Sequence, residues 1–459
     1  MKLLKRAIMA DYEIPENTPS RAVGVQFGAN PSLLGVVDRL IDDANRAGAD
    51  AGLALVAAGD AIAKFRAQDS MYTLFARGDL NDREVRVEQV IQPFVKLFDP
   101  EADDSALLAF ARTADISFLL LAPDPANPGA ATIDYSLAAR FLAEREAGGG
   151  APVKILVVNQ SAEECRDALS AIFASWGADA SYLDFCPILP SLLEGMAYLS
   201  TPEEAIRLCE KMNYRDSMIH IAEPYAHWTI QARPDELPFA GESIAFTDDL
   251  APAIQKKRAL FDGGLFAFAA LGALHGDRTL ADCMRDKPLR ELAGHAIYDE
   301  ILPYAPIPRD EAAEYVIRCC ERWENPLIEN RIPEAASGLL ARFREGVLPI
   351  MRAYCEDRFE APENLSLALA AMILMYAGAR WEDGAYRTEL GGEAVVLHDD
   401  PEALLSFSRL SPDMPAESLA YACLADRALW GMDLRELDGL EMAVCRNLEM
   451  VISERKEDR

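Results

Sequence analysis

Positive charge is scarce in this chain. Only 45 Lys and Arg stand against 75 Asp and Glu, so the 459 residues carry a net charge of −30 and an isoelectric point near 4.6. A field of that sign repels nucleic acid and anionic membrane surfaces, and neither is expected as a partner. It gives no general attraction for an anionic ligand either; such a ligand needs a local cationic pocket. Histidine is also scarce: His220, His227, His275, His295 and His398 are the only five. No two of them stand four apart on a helix, so a metal centre has no support. His220 and His227 read as packing or surface residues. Long apolar runs are missing. No stretch reaches ~18 residues without a charge, which excludes a membrane-spanning helix. The nine cysteines are odd in number and never form C-x-x-C. They read as reduced, buried thiols of a cytoplasmic protein. The opening MKLLKRAIMADYE has too short an apolar run for a secretory leader.

What is present is a strong pattern of buried strands and helices. Hydrophobic residues make up 51% of the chain, enough for sizeable cores. Residues 22–28 (AVGVQFG) read as a buried strand ending in glycine, 30–47 as an amphipathic helix, and 52–58 as a second strand that ends near Asp60. Strand, helix, strand is the opening of a parallel dinucleotide-type fold. Residues 71–77 and 84–90 alternate like a hairpin joined by a polar turn, Gly78 to Asp82. Further strands are expected at 116–121, 153–158 and 219–231, with helices over 132–146 and after Ser161, where Ser161 and Glu164 have capping-box spacing. A Pro- and Gly-bearing linker, 233–241, separates this half from one that is helical nearly throughout. The expected fold class is α/β: an N-terminal Rossmann-like doubly wound domain, residues 1–240, followed by an all-helical C-terminal domain, residues 241–459.

The first strand-to-helix turn is the expected ligand-facing element. In folds of this kind it carries G-x-G-x-x-G, whose glycines let the backbone approach a pyrophosphate at the helix N-terminus. Here it reads Gly28-Ala29-Asn30-Pro31-Ser32-Leu33-Leu34-Gly35, and only the first glycine is in place. Pro31 suits a helix start but removes one N–H that could face a phosphate. Asp60, at the expected end of the second strand, could accept from ribose hydroxyls.

Several stretches resemble the polyol-specific long-chain dehydrogenases, the group of mannitol dehydrogenase and tagaturonate reductase (altronate oxidoreductase). The C-terminal half carries the likeness best, in 322–328 (RWENPLI), 345–351 (EGVLPIM), 366–378 and the final helices. Glu223, Pro224, Tyr225, Trp228 and Ile230 match a further strand motif of that family. The likeness centres on Asp248 to Pro303. There the family has the catalytic pattern Lys, four residues, Asn, Gly, one residue, His. In register, the Lys is Lys257, Asp262 stands for the Asn, Gly263 is the Gly, and Leu265 stands for the His. The family's nucleotide turn, F-G-x-G-N-F-x-R, is kept at Phe27 and Gly28. It is changed at Asn30, Pro31, Ser32 and Leu34, and the polar set after the 116–121 strand is replaced by Ala122-Pro123-Asp124-Pro125.

The resemblance implies NAD as cofactor, with Phe27, Gly28, Asn30 and Asp60 on its side and with weakened or lost affinity. It implies a sugar acid or polyol as the small-molecule partner, and Lys257 and Asp262 in a cleft between the two domains. On a continuous α-helix residues 257 and 262 would lie ~140° apart. If they nevertheless converge, the carboxylate should hold the Lys257 ammonium in an ion pair. Three readings stay open: an NAD-dependent sugar-acid or polyol oxidoreductase with weakened or altered chemistry; a catalytically silent homologue that binds a sugar acid or a protein partner; and a different reaction using Lys257 and Asp262 as an acid/base pair. Nothing in the sequence sets the oligomeric state, and a monomer is compatible with it.

Overall fold

The computed structural model describes residues 1–80, 83–123, 135–177, 179–390 and 393–457. The chain forms two compact units, Met1–Leu250 and Ala251–Arg459.

The first unit is built on an eight-stranded sheet. Its strands are β1 Ala22–Phe27, β2 Gly52–Val56, β3 Phe94–Phe98, β4 Phe118–Leu121, β5 Lys154–Val158, β6 Ile188–Glu194, β7 His227–Gln231 and β8 Ile244–Thr247. Across the sheet the order is 8-7-6-5-4-1-2-3. Strands 6-5-4-1-2-3 are all parallel, while β7 runs antiparallel to β6 and pairs in parallel with β8. The parallel block has the strand order of a doubly wound dinucleotide-binding fold, with its reversal between β1 and β4. Both faces are covered, which is why the strands read as continuous apolar runs. In β4, Phe118 and Leu120 enter one core while Leu119 and Leu121 enter the other.

A second sheet sets the hairpin Tyr72–Asp79 with Glu84–Ile91 beside strands His220–Ala222 and Ala197–Leu199. The hairpin pairs as expected; Asp82 of its turn lies outside the described residues. So do Asp124, Pro125 and Thr132, and the following helix is described as Ser136–Ala147. The capping box at Ser161 and Glu164 is formed.

Three expectations need correction. The stretch 219–231 is two strands in two different sheets, parted at residues 223–226. Pro224 has no N–H for a ladder, so the pairing stops there. The second strand ends at Val56, and Asp60 lies in the helix Gly59–Ala67. The first unit also runs past residue 240, because β8 completes its sheet by pairing with β7.

One buried acid in this unit works against its stability. Asp38 is wholly buried; Gln26 Nε2 donates to it at 3.3 Å and the Tyr72 hydroxyl lies 3.3 Å away, itself donating to the Leu34 carbonyl at 2.6 Å. Burial pushes the Asp38 carboxyl well above the usual range, and the neighbouring Asp42 adds to this. The folded state therefore binds this proton more tightly than the unfolded state does. Stability is highest below the unfolded carboxyl pKa and falls as pH rises through the raised folded value. Asp38→Asn is expected to raise stability at pH 7 by about 1 kcal/mol or more, with the gain vanishing towards pH 4. Thermal melts of both proteins across that range check it; a gain independent of pH would show that Asp38 is ionised in the fold.

The second unit is helical apart from a three-stranded antiparallel sheet, Arg380–Glu382, Ala385–Leu390 and Glu393–Val396. Its centre is a pair of helices, Gly263–His275 and Glu363–Tyr376, that are apolar almost all round. Such helices are stable only when surrounded, and the terminal helix Leu440–Glu457 packs on the second of them. No described helix is long and apolar enough to cross a membrane.

Candidate functional site

In the first unit the expected ligand turn follows β1. Gly28 has φ of +102°, a conformation that a side chain at this position would strain. Its N–H donates to the Val56 carbonyl at 2.8 Å, continuing the parallel ladder. Asn30 is 7% exposed and fully engaged within the protein. Its Oδ1 accepts from Leu33 N–H at 3.0 Å, capping the helical segment, and its Nδ2 donates to the Pro123 carbonyl at 3.1 Å. Pro123 follows β4, so this bond ties together the two loops that flank the reversal of strand order. In doubly wound folds that crevice takes the ligand. Phe27 is buried and meets Phe141 edge to face at 5.9 Å, a packing role. Asp60 points to solvent and pairs with Lys64 at 2.8 Å. It sits in the first turn of its helix, where a carboxylate favours the positive end of the dipole and an i,i+4 lysine favours the carboxylate. The structure therefore brings Gly28 and Asn30 together and leaves Asp60 on the surface.

In the second unit Lys257 and Asp262 do meet. Lys257 Nζ donates to Asp262 Oδ2 at 2.8 Å. The α-helical separation is avoided because residues Lys257–Asp262 form a π-turn, closed by Gly263 N–H donating to the Arg258 carbonyl five residues back. Five-residue hydrogen bonding widens the helix, so side chains five apart return to one face. The three neighbouring cations go separate ways. Lys256 pairs with Glu311 at 2.8 Å and lies over the Tyr315 ring, and Arg258 pairs with Glu345 at 2.7 Å. Lys257 lies 5.6 Å from the Phe261 ring centre, while the Arg322 guanidinium lies 4.2 Å from it.

Two further π-turns, Ala296–Ile301 and Phe343–Val347, pack against the one carrying Lys257. The approach is close at Gly346: an added Cβ would stand 2.3 Å from the Arg258 carbonyl oxygen. Gly264 is similarly crowded by the Trp323 ring, 2.4 Å from where its Cβ would be.

A third residue completes the cluster. Arg342 Nε lies 3.4 Å from Asp262 Oδ1, and its Nη1 donates to the Ala335 carbonyl at 2.7 Å. Asp399 fixes the short helix that carries it, Leu339–Arg342, accepting from Leu340 and Ala341 N–H groups and from the Tyr376 hydroxyl at 2.6 Å. Burial pushes the Asp399 carboxyl up, and burial with the Asp399 charge pushes the Tyr376 hydroxyl well up. Sequence reasoning missed Arg342. It stands far along the chain from Lys257 in an unremarkable run, and only the packing of the π-turns brings it to Asp262. Leu265 is 3% exposed and belongs to the apolar core, so it offers no polar group. His220 is buried, with Nδ1 2.8 Å from the Met218 carbonyl oxygen; desolvation lowers its pKa to about 4, and it is a neutral packing residue at pH 7. Among the described residues no His, Cys, Asp or Glu group could hold a metal.

A doubly wound unit is followed by a helical unit that carries Lys257 on a π-turn. Residues 249–452 match the mannitol dehydrogenase C-terminal domain. The altronate oxidoreductase of Klebsiella pneumoniae is 26% identical over 99% of this chain and 98% of its own length; that of Cronobacter sakazakii is 25% identical over 94% of each. In fold, the chain is similar to Pseudomonas fluorescens mannitol 2-dehydrogenase, solved with NAD and D-mannitol. The TM-score is 0.73 at 18% identity, with all of both chains covered. The second unit thus carries the likeness to the mannitol dehydrogenase C-terminal domain, and nearly the whole chain is similar to the altronate oxidoreductases.

Proposed function

We propose that this protein is an NAD(H)-dependent oxidoreductase acting on a sugar acid or polyol, with Lys257 handling the proton at the reacting oxygen. The observation that supports the reading is the Lys257 ammonium on the π-turn, donating to Asp262 at 2.8 Å. NAD(H), when bound, supplies or accepts the hydride. Reducing a carbonyl leaves an alkoxide that must take a proton, and a positioned ammonium can give one. Oxidation of a hydroxyl is the same step in reverse, with the Lys257 amine taking the proton. Asp262 and Leu265 replace two donors that would hold and polarise the oxygen, so turnover is slow. The Gly28 bend suits close approach of a pyrophosphate, while the engaged Asn30 side chain and the missing N–H of Pro31 weaken it.

The tie between Asn30 and Pro123 favours a second reading, a silent homologue whose nucleotide crevice is closed from within. Calorimetric titration with NADH separates the two. Binding weaker than micromolar, with slow NADH oxidation on a keto-hexuronate, is expected. No binding at millimolar NADH would establish the silent reading, and fast wild-type turnover would refute the weakened site.

A further inference from the structure

Cations are scarce in this chain, yet in the small sheet of the second unit two of them stand face to face. Arg380 and Arg387 are direct partners across the antiparallel pair Arg380–Glu382 and Ala385–Leu390. Residues so placed share one face of the sheet with Cβ atoms about 5 Å apart, and like charges there repel. Among the described residues neither guanidinium is in an ion pair; Arg387 Nε donates to the Glu382 carbonyl at 3.5 Å. Both arginines line a cavity of about 590 Å³ that is also walled by Leu274, Leu374, Met375 and Leu390. Three acids of the same wall, Glu382, Glu389 and Asp413, are likewise in no ion pair among the described residues. Glu382 and Glu389 each stand two residues from an arginine on its own strand, so they flank the arginine pair on the same face, one to each side. Leu274 and Met375 belong to the last turns of the helices Gly263–His275 and Glu363–Tyr376, whose C-terminal ends favour a cation. Lys257 precedes the first turn of the former helix, roughly 20 Å along its axis from Leu274.

We propose that this cavity binds a free α-amino acid with an apolar side chain. The two guanidiniums take its carboxylate, the flanking glutamates take its ammonium, and the leucines with Met375 take its side chain. A planar guanidinium fork matches a carboxylate, and bonds with charge on both partners are the strong ones. A lone anion is opposed by the glutamates and a lone cation by the arginines, so a zwitterion suits the wall best. Its carboxylate also relieves the repulsion between Arg380 and Arg387. The site is remote from the Lys257 cluster and needs neither cofactor nor hydride transfer, so it stands or falls separately from the proposed activity.

Calorimetric titration of the full chain with L-leucine tests this, beside two analogues of the same skeleton. One is 4-methylpentanoate, which lacks the amino group; the other is 3-methylbutylamine, which lacks the carboxylate. Leucine should bind about tenfold or more tightly than either. Arg387→Gln should weaken leucine by about tenfold and leave 3-methylbutylamine no weaker. Glu382→Gln with Glu389→Gln should weaken leucine by about as much and leave 4-methylpentanoate no weaker. Arg21→Gln, in the first unit and paired with Asp115, should change nothing. Without leucine, Arg387→Gln should melt no lower than wild type, because it removes a like-charge repulsion. Circular dichroism of each variant confirms folding. Leucine binding that is absent at millimolar concentration, no tighter than that of the analogues, or unchanged in Arg387→Gln would overturn the proposal. A lower melt of Arg387→Gln would do the same, by making that arginine structural.

Discussion

The double change Asp262→Asn with Leu265→His is expected to raise NADH-dependent reduction of a keto-hexuronate by about 10²-fold or more, since a single positioned donor at a developing oxyanion is worth ~10²–10³ in rate. The geometry allows it. Residues 262 and 265 stand three apart where the π-turn runs into the helix Gly263–His275, so side chains there share a face. The amide introduced by Asp262→Asn would still accept from Lys257 through its oxygen while offering an N–H donor, and it would release the ammonium from a full ion pair. The imidazole introduced by Leu265→His would replace a core leucine that is 3% exposed, so some loss of stability accompanies the gain. Loss of NADH absorbance, measured beside wild type and both single variants, checks it. Titration with NADH is run on the same samples. Tight NADH binding with no rate above wild type would show that the polar groups missing around Ala122 matter as much as positions 262 and 265.

Gly346→Ala should cost the second unit about 3 kcal/mol, the upper end of what overpacking does, because the obstructing atom is backbone. The new methyl would meet the Arg258 carbonyl oxygen at 2.3 Å, and that oxygen closes the π-turn through Gly263 N–H. The clash thus falls on the hydrogen bond that brings Lys257 and Asp262 together. A melting-temperature loss of roughly 6–12 °C is expected for a unit of this size. Gly294→Ala is the control. It lies in the helix Lys287–His295 with nothing within 4 Å of an added Cβ, so alanine there should stabilise by roughly 1 kcal/mol. If both substitutions shift the melt in the same direction, the close approach of the π-turns is not what holds the Lys257 turn.

Much of the architecture was legible in the residue order because it rests on local pattern. Continuous apolar runs at 22–28, 116–121 and 153–158 announce strands buried on both faces, and Ser161 with Glu164 announces a helix start. Where context overrode pattern, the reading slipped. Asp60 looked like the polar end of a strand, but β2 stops at Val56 and a helix begins at Gly59. The motif of 219–231 looked like one strand, but Pro224 divides it between two sheets. The second unit looked wholly helical, yet residues 380–396 hold a small sheet.

The sequence by itself determined the family frame, the strand-and-helix succession and the chemical identity of the changed positions. Asp262, Leu265, Asn30 and Pro31 are read directly, and what they remove follows from their functional groups. Only the tertiary structure decided what those groups do. On an α-helix Lys257 and Asp262 would face apart; a π-turn joins them, and nothing local in residues 257–262 signals the extra residue per turn. Asn30 could have faced a ligand, but distant Pro123 engages it. Arg342 enters the cluster because helices from far along the chain pack together. Such long-range contacts arise from the burial of whole elements, which no short window of sequence encodes.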